Sequence, residues 1–159
     1  MGFHRYRVSD RMGWHIESSP EVGEWVCMHT GGGYHDARSN ALGLRNSEGE
    51  LVAGVVYENW NGRSVVCHIA FTGRLTPAYL AAVFDYPFNV CGVDKIIAPV
   101  SSGNSKALRL VGKMGFTEEA RIHNADTAGD IVFLTMARES CRYLGRRYGQ
   151  KFTETTSGT

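Results

Sequence analysis

Along the middle of the chain, short apolar runs bounded by turn residues are twice interrupted by segments of helical period. Ala41-Leu42-Gly43-Leu44-Arg45 reads as a strand, turned at Ser47-Glu48-Gly49, and residues 51–60 (LVAGVVYENW) as the next. Asn61-Gly62 lies between two β-rich runs and predicts a type I′ hairpin with positive φ at both positions. The return strand is Ser64-Val65-Val66-Cys67-His68-Ile69-Ala70-Phe71. Thr76-Pro77 then opens a helix as N-cap and first helical residue, with Leu80, Val83 and Phe84 as its core stripe. Pro87 is expected to end or kink it near Tyr86. A strand at 95–100 follows, then a polar elbow, Ser101-Ser102-Gly103-Asn104-Ser105. The next helix carries Ala107, Leu110, Val111 and Met114 at i, i+3, i+4 and i+7, and Gly115-Phe116 supplies its left-handed stop. Residues 116–123 and 130–137 read as a closing hairpin, and a last helix holds Tyr143 and Leu144. Upstream, Ser19-Pro20-Glu21 opens a short helix through Trp25, Val26 and Met28, broken by Gly31-Gly32-Gly33; the first 19 residues carry only weak signals. This order predicts an α/β (α+β) domain, a mixed and mostly antiparallel sheet with helices on its faces. The segment from Val65 to Val100 would be a right-handed parallel crossover.

Composition narrows the classes. A chain of 159 residues fits one domain, expected over 1–150, with 151–159 as a disordered tail. A formal net charge of +1 gives no global field toward nucleic acid. A local basic cluster remains, Arg138, Arg142, Arg146, Arg147 and Lys151 with Tyr143 and Tyr148 interleaved; it reads as a phosphate contact or as a solvated face. Cys27, Cys67, Cys91 and Cys141 are far apart with no metal-ligand spacing, so no metal is expected, and their use suits a cytoplasmic protein. The N-terminus lacks the apolar region of a signal peptide, and no apolar run reaches the ~18 residues of a membrane span.

Asn104, Ala107 and Gly115-Phe116 are spaced as in the "N-x-x-A/S … G-F" helix of the GNAT acyltransferases, and the order of elements over roughly residues 40–140 is similar to that family. The wording of Leu51–Tyr57 and of Asp85-Tyr86-Pro87-Phe88 resembles small acetyltransferase-like proteins of tailed bacteriophages, which would place the chain in a host cytoplasm. The resemblance implies a GNAT-like domain with a splayed central strand pair, 64–71 and 95–100, acetyl-CoA (CoA) as cofactor, and direct attack of an amine on the thioester. Cofactor contacts are then expected from Ile69, Ala70, Phe71, Thr72, Gly73, Arg74, Leu75 and Thr76, and from Ser102, Asn104 and Ala107. The family's glycine-rich phosphate loop is thinned here to Gly73, with Arg74 as a compensating charge. Its frequent acid tyrosine, seven residues after the Asn, is Val111.

His68, Glu58 and Tyr57 are the candidate bases, since a neutral imidazole or carboxylate can take an amine proton. Each has a plainer reading as a core or hairpin-end residue. Cys67 adjoins His68, but neighbours on a strand face opposite sides, which argues against a Cys–His nucleophile. Tyr34 and His35, after the three glycines, are acceptor-site candidates or part of a plain connector. Three functions stay open: an acetyl-CoA-dependent N-acetyltransferase acting on a small amine, a protein amine or a modified nucleobase; a DNA-base-modifying phage protein of the same fold using non-acetyl chemistry; and a non-catalytic binding module. The resemblance also leaves a homodimer open.

Overall fold

Short polar segments start the three helices, and a left-handed glycine or a π turn stops them. Ser19 Oγ accepts from Val22 N at 3.4 Å and opens α1 (Pro20–Thr30); Gly31 closes it in the left-handed region, φ 75°. Thr76 Oγ1 accepts from Tyr79 N at 3.2 Å and opens α2 (Pro77–Asp85). Asn104 Oδ1 accepts from Ala107 N at 3.1 Å and opens α3 (Ser105–Met114), which Gly115 ends at φ 107°. As expected from Pro87, α2 stops at Asp85, and the backbone widens into a π turn over Tyr86–Val90, closed by Cys91 N donating to Tyr86 O at 2.9 Å. A ring with no N–H is accommodated by that wider turn.

The computed structural model describes residues 7–10, 12–31, 34 and 39–144. Its eight strands are β1 (Arg7–Ser9), β2 (His15–Glu17), β3 (Asn40–Arg45), β4 (Leu51–Glu58), β5 (Ser64–Phe71), β6 (Lys95–Ser101), β7 (Thr117–Asp126) and β8 (Gly129–Ala137). They form one sheet in the order β1-β2-β3-β4-β5-β6-β8-β7. Every pairing is antiparallel except β5 with β6, the parallel pair that the order of elements predicted.

Four expectations need correction. The weak N-terminal stretch contributes β1 and β2, three residues each, too short to show a period. Asn61-Gly62 is not a two-residue type I′ turn: the positive φ angles fall on Asn59 and Gly62. There Asn61 Oδ1 accepts from Arg63 N and Ser64 N, and Trp60 Nε1 donates to Cys91 O at 3.1 Å, holding a longer loop. The last helix is two 3₁₀ turns, Arg138–Ser140 and Arg142–Leu144. Two arginines of the basic cluster serve the fold: Arg138 donates to the Phe88 and Val93 carbonyls, and Arg142 to the Lys113 carbonyl. Arg146, Arg147, Tyr148, Lys151 and the 151–159 tail lie outside the described residues.

Directly opposite residues in a sheet share a face. Val55, Tyr57, Val65, Cys67, Ile96, Ala98, Val132, Leu134 and Met136 point to the side packed by α2 and α3, where the larger core sits. Val56, Ala70 and Ala41 point to the other side, beneath Val22 and Val26 of α1. A Cβ on Gly54 would stand 2.5 Å from Val26 Cγ2, and one on Gly43 2.5 Å from Val22 Cγ2. Glycine at both positions lets α1 lie directly on β3 and β4.

Candidate functional site

The parallel pair is joined for three rungs only, Ser64 with Lys95, Val65 with Ile96 and Val66 with Ile97. Beyond them β5 stays paired to β4 as far as Phe71, and β6 stays paired to β8 as far as Ser101. Residues 67–71 and 98–101 therefore border a fork with no partner strand between them. Pro99 belongs to this stretch. A proline in the interior of a sheet suits a strand whose one side is an edge, which β6 has become here.

On the α1 side of the fork, His68 Nε2 and Glu58 Oε1 lie 2.7 Å apart. Their side chains are 30% and 25% exposed, so the pair is reachable but partly desolvated. The register explains the meeting: His68 opposes Val56, and Glu58 lies two residues along the same face. With Glu58 ionised, Nε2 carries the proton and Nδ1 presents a lone pair. Cys27 of α1 is close enough that the Glu58 charge, after burial itself, raises its thiol, so it stays protonated at neutral pH.

Tyr57 does not join this group. It opposes Cys67 on the α2 side, is 1% exposed, and its hydroxyl donates to Val83 O at 2.5 Å. Burial pushes its phenol well above its usual value, which makes it a neutral core residue. Cys67 lies on that same side, with burial raising its thiol to about 12. Below the fork on this side remains an apolar cavity of about 10 Å³, lined by Tyr57, Cys67, Ile69, Phe84, Val111 and Met114. That is space for about one water.

The segment after β5 divides into packed and exposed residues. Ala70 is buried beneath α1, Ile69, Phe71 and Leu75 pack on the larger core, and Thr76 is spent on capping α2. Thr72 N donates to Val52 O at 2.8 Å. Thr72, Gly73 and Arg74 are exposed at the N-terminal end of α2, and Arg74 has no hydrogen-bond or ion-pair partner among the described residues. Gly73 has no left-handed backbone, and a Cβ there would meet Val52 at 3.6 Å, an ordinary contact. Glycine is thus not forced at 73 by conformation.

At the elbow, Ser102 Oγ accepts from Asp130 N at 2.8 Å, and Ser101 Oγ donates to Asp126 at 2.7 Å. Asn104 caps α3, and Ala107 is buried in the core. Sequence reasoning missed Lys106. Its Nζ donates to Phe71 O at 3.0 Å and lies 4.5 Å over the Phe71 ring, bridging the mouth of the fork from α3 to β5. Pro99 was the available signal for the fork itself. Tyr34 is held against α1, where a Cβ on Gly23 would come within 2.4 Å of its ring; His35 lies outside the described residues. Among the described residues no three His, Cys, Asp or Glu converge on a metal site.

No family model and no curated protein matches the chain. Solved structures do. The dodecameric spermidine N-acetyltransferase from Vibrio cholerae in its intermediate state aligns with a TM-score of 0.66 at 16% identity, over 84% of this chain and 98% of that one. A chimera of the Vibrio cholerae enzyme SpeG with hSSAT gives 0.65 at 15% identity, over 84% and 99%. The spermidine/spermine N-acetyltransferase SpeG from Vibrio cholerae with manganese ions gives 0.62 at 15% identity, over 79% and 92%. The likeness is one of fold.

Proposed function

We propose that the chain is an acetyl-CoA-dependent N-acetyltransferase acting on a primary amine. The observation that carries the reading is the fork between β5 and β6 with the His68–Glu58 pair on its α1-side lip. The fold it shares with spermidine N-acetyltransferases supports it. When bound, acetyl-CoA supplies a thioester whose acetyl carbon gains a bond to the amine nitrogen and loses its bond to sulfur, one amine proton ending on the thiol.

The chain's own residues supply the rest. Strand edges bordering the fork offer backbone N–H and C=O groups to an extended amide-bearing arm, as a sheet edge does to a peptide. Gly73, Arg74 and Lys106 gather exposed backbone and two positive charges beside the N-terminus of α2, where diphosphate oxygens are favoured. His68 takes the amine proton at Nδ1, while Glu58 fixes the tautomer and stabilises the imidazolium that forms. Ser102 and Asn104 keep the elbow in shape through Asp130 and Ala107.

Calorimetric titration of the full chain with acetyl-CoA tests this first. One-to-one binding with Kd on the order of 1–100 µM is expected, in the usual range for such substrates. Absence of binding at millimolar concentration would sink the transferase reading.

A further inference from the structure

On the α1 side the sheet has two unlike halves. Over β3, β4 and β5 lies α1. Across the fork, the register places Ile97, Pro99 and Ser101 of β6 on this same face, opposite Thr135, Phe133 and Ile131 of β8. Ala120 and Ile122 of β7 continue the rows beside Phe133 and Ile131. Ile97, Pro99, Ile131 and Phe133 are half-buried, and Ile122 is 51% exposed. Ile97, Ile131 and Phe133 pack against neither of the two hydrophobic cores. This is an apolar floor that starts where the last rung, Val66 with Ile97, ends. Two residues beyond that rung, His68 stands on one bank of the fork and Pro99 on the other, both facing the same side.

Among the described residues, three carboxylates bordering the floor are already engaged. Glu58 holds His68. Glu119 takes Lys95 Nζ at 3.1 Å and Thr135 Oγ1 at 2.6 Å, contacts that hold its carboxyl below the usual range. Asp126 takes Ser101 Oγ and Ala128 N. A polycation needs spare negative charge at the spacing of its nitrogens, and none of these three groups is spare. A single amine on an apolar body needs one base and a greasy surface next to it. The floor provides that surface and His68 provides the base.

Resting on the transferase reading above, we infer that the acceptor is a monoamine with an aromatic or aliphatic body, which lies over Pro99, Phe133 and Ile131 and carries its nitrogen to His68. The floor sets acceptor selectivity, and burying the body removes apolar surface from water at both partners.

The test takes the full chain, confirms acetyl-CoA binding by calorimetry, and then compares turnover of phenethylamine, methylamine and spermidine by thiol release. The expected result is kcat/KM for phenethylamine at least about tenfold above that for spermidine and for methylamine, the scale of apolar pocket discrimination. Phe133→Ser is expected to lower the phenethylamine-to-methylamine ratio about tenfold, and Ile131→Ser to lower it in the same direction; either variant suffices if the other does not fold. Spermidine equal to or better than phenethylamine overturns the inference while leaving the transferase reading intact, as does a ratio unmoved in both variants. So does turnover of none of the three amines despite cofactor binding. A wild-type dimer that Phe133→Ser converts to monomer in sedimentation assigns the floor to self-association and also overturns it. No acetyl-CoA binding removes the transferase reading and this inference together.

Discussion

The two ends of the β5–β6 pair share strands but not a fate. At the root, three parallel rungs close the pair, and the entrance is pinned on both sides: Asn61 Oδ1 holds Arg63 N and Ser64 N, Asp94 N donates to Arg63 O at 2.9 Å, and Arg138 N donates to Asp94 O at 3.0 Å. At the far end each strand follows a different neighbour. β5 is drawn along β4 through Ala53–Phe71 and Thr72 N to Val52 O, while β6 is drawn along β8 through Ser101–Ile131 and the Asp126 and Asp130 contacts of the elbow. The fork is what remains between two pairings that each run to completion. A gap held open this way costs the strands no backbone pairing on their outer sides, and the candidate site residues border it: His68 and Glu58 on the lip, Arg74 and Lys106 at the mouth. Beside the root, by contrast, Tyr57 and Cys67, one residue past the last rung, stay neutral in the apolar core.

If the fork carries function and the root carries stability, substitutions at the two ends separate. The largest effect is expected at His68. His68→Ala should lower kcat by roughly 10²–10⁴-fold, the span of a lost general base. The affinity for acetyl-CoA, read by calorimetry, should stay put. Glu58→Gln should lower kcat less, because it removes the orienting charge and leaves the imidazole. A His68→Ala enzyme with wild-type turnover breaks the assignment of the fork's lip as the catalytic edge.

A smaller effect is expected at the mouth. Lys106→Met keeps the apolar stem over Phe71 and removes the charge. It should weaken acetyl-CoA binding by roughly fivefold, as an exposed ion contact does. The loss should shrink as salt is raised, because screening already weakens the wild-type contact. Equal affinity of the variant and the wild type across a salt series would show that Lys106 serves only the Phe71 carbonyl.

The smallest effect is expected beside the root. Tyr57→Phe deletes the donor to Val83 O and leaves that carbonyl buried, which should cost about 1–2 kcal/mol in urea unfolding. Turnover per folded molecule should not move. A Tyr57→Phe enzyme that folds normally but loses turnover would bring the phenol back among the acid–base candidates and blur the division between root and fork.

Some of this was legible residue by residue. Ser19 and Thr76 announced their helices because a cap is a local hydrogen bond within three or four residues. Gly31 and Gly115 announced the ends because only the left-handed region closes a helix there without a side-chain penalty. The strands β4, β5, β6 and β8 were readable from their β-branched residues, and β3 from a short apolar run bounded by turn residues. Pro87 marked the end of α2 at Asp85, but the π turn that follows was not legible, because a proline is read against an α-helix. Asn61-Gly62 misled because its side-chain carbonyl replaced the backbone turn, and the reach of Trp60 to Cys91, 31 residues away, set the loop.

The sequence by itself determined the helices, most of the strands and the presence of one parallel pair, since each rests on short-range periodicity and capping. Tertiary structure alone decided which candidates share a place. His68 and Glu58 are ten residues apart and meet only through the register of β4 with β5, which also sends Tyr57 to the opposite face. Lys106 reaches Phe71 across 35 residues, and the apolar floor is assembled from three neighbouring strands, β6, β8 and β7, whose order in the sheet is not their order in the chain. Periodicity states which way a side chain points relative to its neighbours in the chain. Strand pairing states what stands across from it, and that depends on hydrogen bonds to distant backbone.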